Sequence, residues 1–283
     1  MKIAIQGGQA SFHDMAVRKF FADQQIGLLE CHTFRQVCAA LVEREADLSV
    51  MAIENTLVGS ILPNYTLLEE YPLRIVGETY LRIEHHIMAL PGQSLSEIQS
   101  VRSHPMALMQ CSNFLEAHPQ IRGIETFDTA ESAREIAEKQ LRKTAAIASR
   151  LAAEKYNLKV ISDNIENIEE NYTRFLILSE APIEDDETPD KASICFNLSH
   201  RPGSLAKALE VFHRHQINLT LIQSVPIIGK PNEYAFHIDL EWGDRKVFDA
   251  AIDELHHLTY GLKILGIYKR GLLPYEDSGS RQS

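Results

Sequence analysis

Short apolar runs alternate with helix-patterned segments from residue 2 to residue 180: "KIAIQ", then 11 to 21, "IGLLEC", then 33 to 43, then "DLSVMAIEN". Runs of this length fill strands and the intervening segments fill helices, so a chain that keeps alternating them must cover a sheet with helices. The pattern predicts an α/β domain. Three helix starts are marked by a capping residue followed three positions later by a carboxylate or amide: Thr33 with Gln36, Ser94 with Glu97, and Asp128 with Glu131.

Residues 181 to 190, "APIEDDETPD", combine two prolines with five acidic residues and no apolar periodicity, which predicts an extended, self-repelling linker. A second domain is expected over 191–273, in the order strand "ASICFNLS", helix 204 to 215, strand "INLTLIQSV", strand "EYAFHIDLEW", helix 245 to 258 and strand "LKILGIYK". That βαββαβ order is the ferredoxin-like motif. Residues 274–283 lack apolar content and are expected to fray.

The net charge of -11 disfavours nucleic acid and anionic membrane as partners, because phosphate binding rests on clustered Lys and Arg. No apolar run is long enough to span a bilayer, and "MKIAIQGG" meets Gly and Gln before a signal-peptide core forms, so a cytoplasmic protein is expected. Cys31, Cys38, Cys111 and Cys195 have no C-x-x-C spacing and are expected as reduced core thiols.

Polar clusters stand at the predicted strand ends: "QGGQASF", "AIENTLVGS", "RSHPMALMQC", "FDTAESA" and "NYTRF". In an open α/β sheet such ends converge on one crevice. Taken singly, each has an ordinary alternative. Gly7 and Gly8 make a tight turn, since G-x-G-x-x-G is absent; Glu54 is an ion-pair partner; Ser103 is an N-cap; Gln110, two helical turns later, is a helix amide; and Arg174 pairs with Glu54 or another carboxylate. No metal and no cofactor are expected, because the twelve histidines lack H-E-x-x-H or paired Cys/His spacing, and His85 and His86 point apart on a strand. A serine hydrolase is unsupported without a G-x-S-x-G elbow.

Jointly, "AIENTLVGS", "SHPMALMQCSNFL", "TAESA", "AAIAS", "NIEENYTRF", "RPGSLAKALEVF" and "INLTLIQSVP" resemble prephenate dehydratase, over about residues 1 to 270. The resemblance implies a catalytic domain of two lobes resembling type II periplasmic binding proteins, followed by an ACT regulatory domain. Lobe one would be about 1–78 plus 165–180, lobe two about 79–164, with hinges near 76 to 80 and 160 to 165. The implied reaction converts prephenate to phenylpyruvate with loss of water and carbon dioxide. Thr173 of the Thr-Arg-Phe motif would stand by the departing hydroxyl; Asn55, Ser103 and Gln110 would orient the substrate, with Glu54 tuning the site. Arg174 would take a carboxylate, and Phe175 and Thr129 would line the cleft.

The family binds phenylalanine between ACT domains. By resemblance, Pro202, Gly203, Ser204, Leu205, Asn218, Leu219, Gln223 and Ser224 would form that effector site in a homodimer or a dimer of dimers (a homotetramer). Here Gln223 and Val225 replace the family's Glu and Arg, removing two charges. Arogenate, the amino analogue, is the alternative substrate. A non-catalytic sensor built on the same fold is the alternative from a different class.

Overall fold

The computed structural model describes residues 1–22, 24–181 and 188–273. Most of the expected linker and the whole tail 274–283 lie outside them. The first lobe contains β1 (Lys2–Gln6), α1 (Phe12–Phe21), β2 (Gly27–Cys31), α2 (Phe34–Val42), β3 (Leu48–Asn55), the short β4 (Gly59–Ser60), α3 (Leu62–Glu70) and β5 (Arg74–Arg82). The second holds β6 (His86–Ala89), β7 (Ser100–Ser103), α4 (Pro105–Gln110), α5 (Ser112–Ala117), β8 (Arg122–Glu125), α6 (Thr129–Glu138), β9 (Thr144–Ala148), α7 (Arg150–Lys155) and β10 (Lys159–Ser162). The chain then returns to the first lobe as β11 (Tyr172–Ser179), antiparallel between β3 and β5.

Thr33 with Gln36 forms the expected capping box, and Asp128 accepts from the Glu131 N–H. Ser94 with Glu97 also forms its box, but it opens only one 3₁₀ turn, Leu95–Glu97, because Ile98 is already extended towards β7. β5 pairs with β11 as far as Arg82. Residues 76 to 80 therefore lie inside a strand and cannot bend as a hinge; the chain crosses between lobes at 83–85 and 163–171.

The C-terminal unit has the βαββαβ order: β12 (Lys191–Asn197), α8 (Ser204–Arg214), β13 (Asn218–Pro226), β14 (Tyr234–Glu241), α9 (Arg245–His256) and β15 (Tyr260–Tyr268). Its sheet is not separate. It continues into the first lobe's sheet in the order β13-β14-β12-β15-β5-β11-β3-β1-β2, while the second lobe has its own sheet, β10-β6-β9-β7-β8. The two halves of the long sheet meet through one parallel pair, Gly266 with Ile75. A Cβ on Gly266 would fall 2.1 Å from the Ile75 carbonyl oxygen, so only glycine lets the strands approach.

One hydrophobic core spans that junction. Met51, Tyr65, Leu68 and Leu176 of the first lobe pack with Cys195, Val225, Leu265 and Tyr268 of the C-terminal unit. Inside it lies a buried ion network. Arg174 reaches Glu78 at 2.7 Å and Asp239 at 2.5 Å, and Lys191 reaches Glu78 at 2.9 Å. All four residues are at most 4% exposed. The Ser193 hydroxyl donates to Asp239 at 2.5 Å, Arg174 donates to the Tyr268 hydroxyl at 3.2 Å, and the Gly271 N–H donates to Glu78 at 3.1 Å. Removing one partner from such a set leaves an uncompensated buried charge, at a cost of about 3–5 kcal/mol.

Arg174→Met should therefore lower unfolding stability by about 3–5 kcal/mol in urea titrations. A variant as stable as wild type would mean that the guanidinium is not needed to compensate Glu78 and Asp239.

Candidate active site

The cleft between the lobes has a volume of about 360 Å³ and is floored by β3 and β11. Thr173 pairs with Asn55 and Arg174 with Glu54, but Phe175 pairs with Ala52, so Ile53 is skipped in the register. This irregularity brings Asn55 onto the same face as Ala52, Thr173 and Phe175, all of which line the cleft. Asn55 then ends the strand in a tight turn, its Oδ1 accepting from the N–H groups of Leu57 (3.0 Å) and Val58 (3.1 Å).

Those two backbone donors fix which end of the Asn55 amide faces the cleft. Its Nδ2 donates to Thr173 Oγ1 at 3.0 Å and to Asn171 Oδ1 at 2.7 Å. Asn171 in turn donates from Nδ2 to Gln110 Oε1 at 3.2 Å, and His85 Nε2 lies 2.9 Å from the same oxygen. Because Thr173 Oγ1 accepts from Asn55, its own proton remains to be given outward. Thr129, at the first turn of α6, lines the same cleft from the second lobe.

Three expected residues stand elsewhere. Arg174 does not reach a substrate: strand alternation turns it away from Thr173 into the buried network, and Glu78 and Asp239 already occupy its guanidinium. Glu54 lies on that side too, 4.0 Å from Arg174, and is outside the cleft lining. Ser103 ends β7 with no exposure, its hydroxyl donating to the Ile147 carbonyl at 2.6 Å. Ser103 therefore precedes the helix, and the two-turn spacing to Gln110 does not place both on one face. His104, not Ser103, caps α4, its Nδ1 accepting from the Met106 N–H at 3.2 Å.

Among the described residues, no Lys or Arg lines the cleft. Its titratable lining is His13, His85, His104 and Asp128. Burial pushes the His13 pKa down to about 4 and lowers those of His85 and His104, so all three imidazoles are neutral at neutral pH. Burial raises the Asp128 pKa. The N-termini of α1 and α6, whose capping residues Ser11 and Asp128 line the cleft, place the positive ends of two helix dipoles at its edge, one of them beside the Asp128 carboxyl. Gly7, at φ +89°, brings the two walls together: a Cβ there would meet Asp128 Oδ2 at 2.9 Å. Phe12 and Phe34, which complete the aromatic wall with Phe175, were not singled out from sequence, nor were His13 and Asn171, and His85 was weighed only as a metal ligand. The His85–His86 pair was the available signal, and the two do diverge: His85 turns to Gln110 and His86 to Asp163, 3.2 Å away.

In the C-terminal unit, Pro202, Ser204 and Leu205 line a second cavity of about 360 Å³ with Tyr234 and Phe236, and Gly203 caps α8 at φ +80°. Asn218 and Leu219 start β13 opposite Glu241 and Leu240, at the far end of the unit from Tyr234, which pairs with Pro226. Gln223 and Ser224 lie towards the Tyr234 end, Gln223 donating to the Ser224 carbonyl at 2.8 Å. One chain therefore does not bring all eight residues together.

Among the described residues, one set of donors has metal-ligand spacing: Glu69, Cys195 and His237. His237 Nε2 lies 2.9 Å from Glu69 Oε1 and 3.6 Å from Cys195 Sγ. Burial and the Glu69 charge push the Cys195 thiol up to about 12, so it stands as a protonated thiol. The trio forms a hydrogen-bonded tie between α3 and the C-terminal sheet.

The family described as prephenate dehydratase matches residues 3–183. The chain is 36% identical over 277 residues to the bifunctional chorismate mutase/prephenate dehydratase of Aquifex aeolicus, across 96% of this chain and 75% of that one. It is 35% identical over 279 residues to arogenate dehydratase/prephenate dehydratase 2 of Arabidopsis thaliana, across 95% and 71%. Among solved structures, GqqA, described as a novel type of quorum-quenching acylase, superposes with a TM-score of 0.85 at 31% identity, covering 97% of this chain and 99% of that one. The prephenate dehydratase of Arthrobacter aurescens in complex with L-Phe superposes at 0.86 and 24% identity, covering 99% and 97%, a likeness of fold.

The half-buried His13 imidazole, whose Nε2 is shielded from solvent, carries a pH signature. Its pKa falls from the ordinary 6.5 to about 4 on folding, so as pH drops the unfolded chain takes the proton first. The stability contribution is complete above 6.5 and lost progressively towards 4. His13→Leu should therefore show a smaller fall in melting temperature than wild type across that window, read by calorimetry; parallel curves would count against a neutral, desolvated His13.

Proposed function

The chain belongs to the prephenate dehydratase family, and we propose that it converts prephenate to phenylpyruvate, water and carbon dioxide, with Thr173 protonating the hydroxyl that leaves. The carrying observation is the Asn55 to Thr173 hydrogen bond, which occupies the hydroxyl's acceptor side and leaves its proton for the cleft. As the bond to the ring carboxylate breaks, its electron pair enters the ring, aromaticity is gained and the opposite carbon–oxygen bond breaks. The departing hydroxide takes a proton and leaves as water, and the Thr173 oxygen is reprotonated from solvent. Hydrogen bonding concerted with departure suits a group as weakly acidic as a threonine, and help of this kind is worth about 10²- to 10⁴-fold.

A cleft of neutral donors and helix N-termini suits a dianion that must discharge one carboxylate, since fixed cations would hold the ground state as firmly as the transition state. Gln110 is the second orienting donor, and Thr129 and Phe175 are walls. Arg174 holds the back of β11. The acylase reading, taken from the likeness to GqqA, needs a nucleophile bonded to a base. Among the described residues, no hydroxyl lining the cleft has an imidazole partner, which favours the dehydratase.

We read the C-terminal unit as an ACT domain that binds phenylalanine between two copies of the chain. This accounts for the separation within one chain: the partner copy would bring its Asn218 and Leu219 towards the cavity at Pro202–Leu205. Among the described residues β13 pairs only with β14, and Ile222 on it is 46% exposed, which leaves an edge for a second copy. Val225, standing where the family has arginine, is buried in the shared core, so effector contact passes through backbone and apolar packing rather than charge.

Purified protein should form phenylpyruvate from prephenate, folded Thr173→Ala should lose about 10²- to 10⁴-fold in kcat, and Thr173→Ser should recover much of it. Deacylation of an acylated quorum-sensing signal with turnover of neither prephenate nor arogenate would move the assignment to the acylase. Sedimentation should give at least twice the 32.0 kDa chain mass, with phenylalanine depressing turnover; a monomer with and without phenylalanine would sink the two-copy effector site.

A further inference from the structure

The orientation of three linked side-chain amides, Asn55, Asn171 and Gln110, is set by two backbone groups, and the chain of consequences ends on a histidine. The N–H groups of Leu57 and Val58 are donors with no alternative, so Asn55 Oδ1 must face them and Nδ2 must face the cleft. Asn171 therefore presents Oδ1 to Asn55 and Nδ2 to Gln110, and Gln110 presents Oε1 to Asn171. His85 Nε2, 2.9 Å from that same oxygen, has to be the N–H. The imidazole is 2% exposed and held edge-on by Phe12 at a centroid distance of 5.5 Å. Its Nδ1 is buried without a hydrogen-bond partner, so a proton there would have no acceptor.

We propose that His85, as the neutral Nε2–H tautomer, is the positioning residue of the cleft: with Asn171 it saturates Gln110 Oε1 and so aims the Gln110 amide N–H groups at the substrate. Without the imidazole donor the amide has one anchor instead of two and is free to rotate, presenting its oxygen to an anion. His85 and Asn171 belong to the two crossings between the lobes, Asn171 immediately before β11, and Gln110 to α4, so the bonds also register the lobes against one another. The inference rests on the dehydratase reading for its kinetic consequence, but not for the tautomer.

The test has two independent arms. Imidazole ¹⁵N spectra should show His85 protonated at Nε2 alone at neutral pH and above; an Nδ1–H tautomer or an imidazolium there overturns the proposal. In kinetics, His85→Leu should lower kcat about 10- to 100-fold with little change in KM, a loss of the size that misplaced groups cause. His85→Gln, which keeps a donor at similar reach, should recover most of it. Introduced into Gln110→Ala, His85→Leu should have almost no further effect, because its action passes through the amide. Equal losses in folded Leu and Gln variants, or losses that add to Gln110→Ala, overturn the proposal. Wild-type protein inert towards prephenate and arogenate would instead sink the functional reading. The tautomer, and a shift of the Gln110 side-chain amide resonances in His85→Leu, would then decide this one.

Discussion

Strand β11 carries the structure's central constraint, because successive residues must face opposite ways. Thr173 and Phe175 turn to the cleft, and Arg174 turns to the C-terminal unit. The strand is held on both sides by β3 and β5, so neither face can relax without shifting the other. Arg174 is therefore more than a surface ion pair: its two buried carboxylate partners come from β5 and β14, one in each half of the long sheet. The charges are costly to bury alone and are retained because all of them are buried together.

The elements were legible because local signals and tertiary packing agree: caps at Thr33 and Asp128, apolar runs in the strands, and the βαββαβ order after residue 190. Ser94 shows the limit, since a complete capping box can open a single turn when the next residues are claimed by a strand. The junction was not legible. Gly266 looks like any glycine in a strand until Ile75, far away in the sequence, is brought against it.

The candidate site was legible as a set of clusters but not as directions. Asn55, Gln110, Thr129, Thr173 and Phe175 come together around one cleft, whereas Ser103, Glu54 and Arg174, adjacent in the same motifs, face elsewhere. Motif wording cannot separate neighbours that alternate across a strand, and a skipped residue such as Ile53 reverses the alternation without leaving a mark in the sequence. His85 was passed over because its spacing fits no metal motif; its role comes from hydrogen-bond accounting across three segments.

The absence of Lys and Arg from the cleft lining among the described residues bears on how an anion arrives as well as on how it is held. A protein of net charge -11 repels a dianion at long range, and the attraction of helix termini fades within a turn. Mobile ions screen the repulsion over a Debye length of about 8 Å at physiological ionic strength while hardly touching the short contacts inside. Capture by such a cleft should quicken as salt is added, the reverse of the behaviour of sites that draw anions in with arginine and lysine.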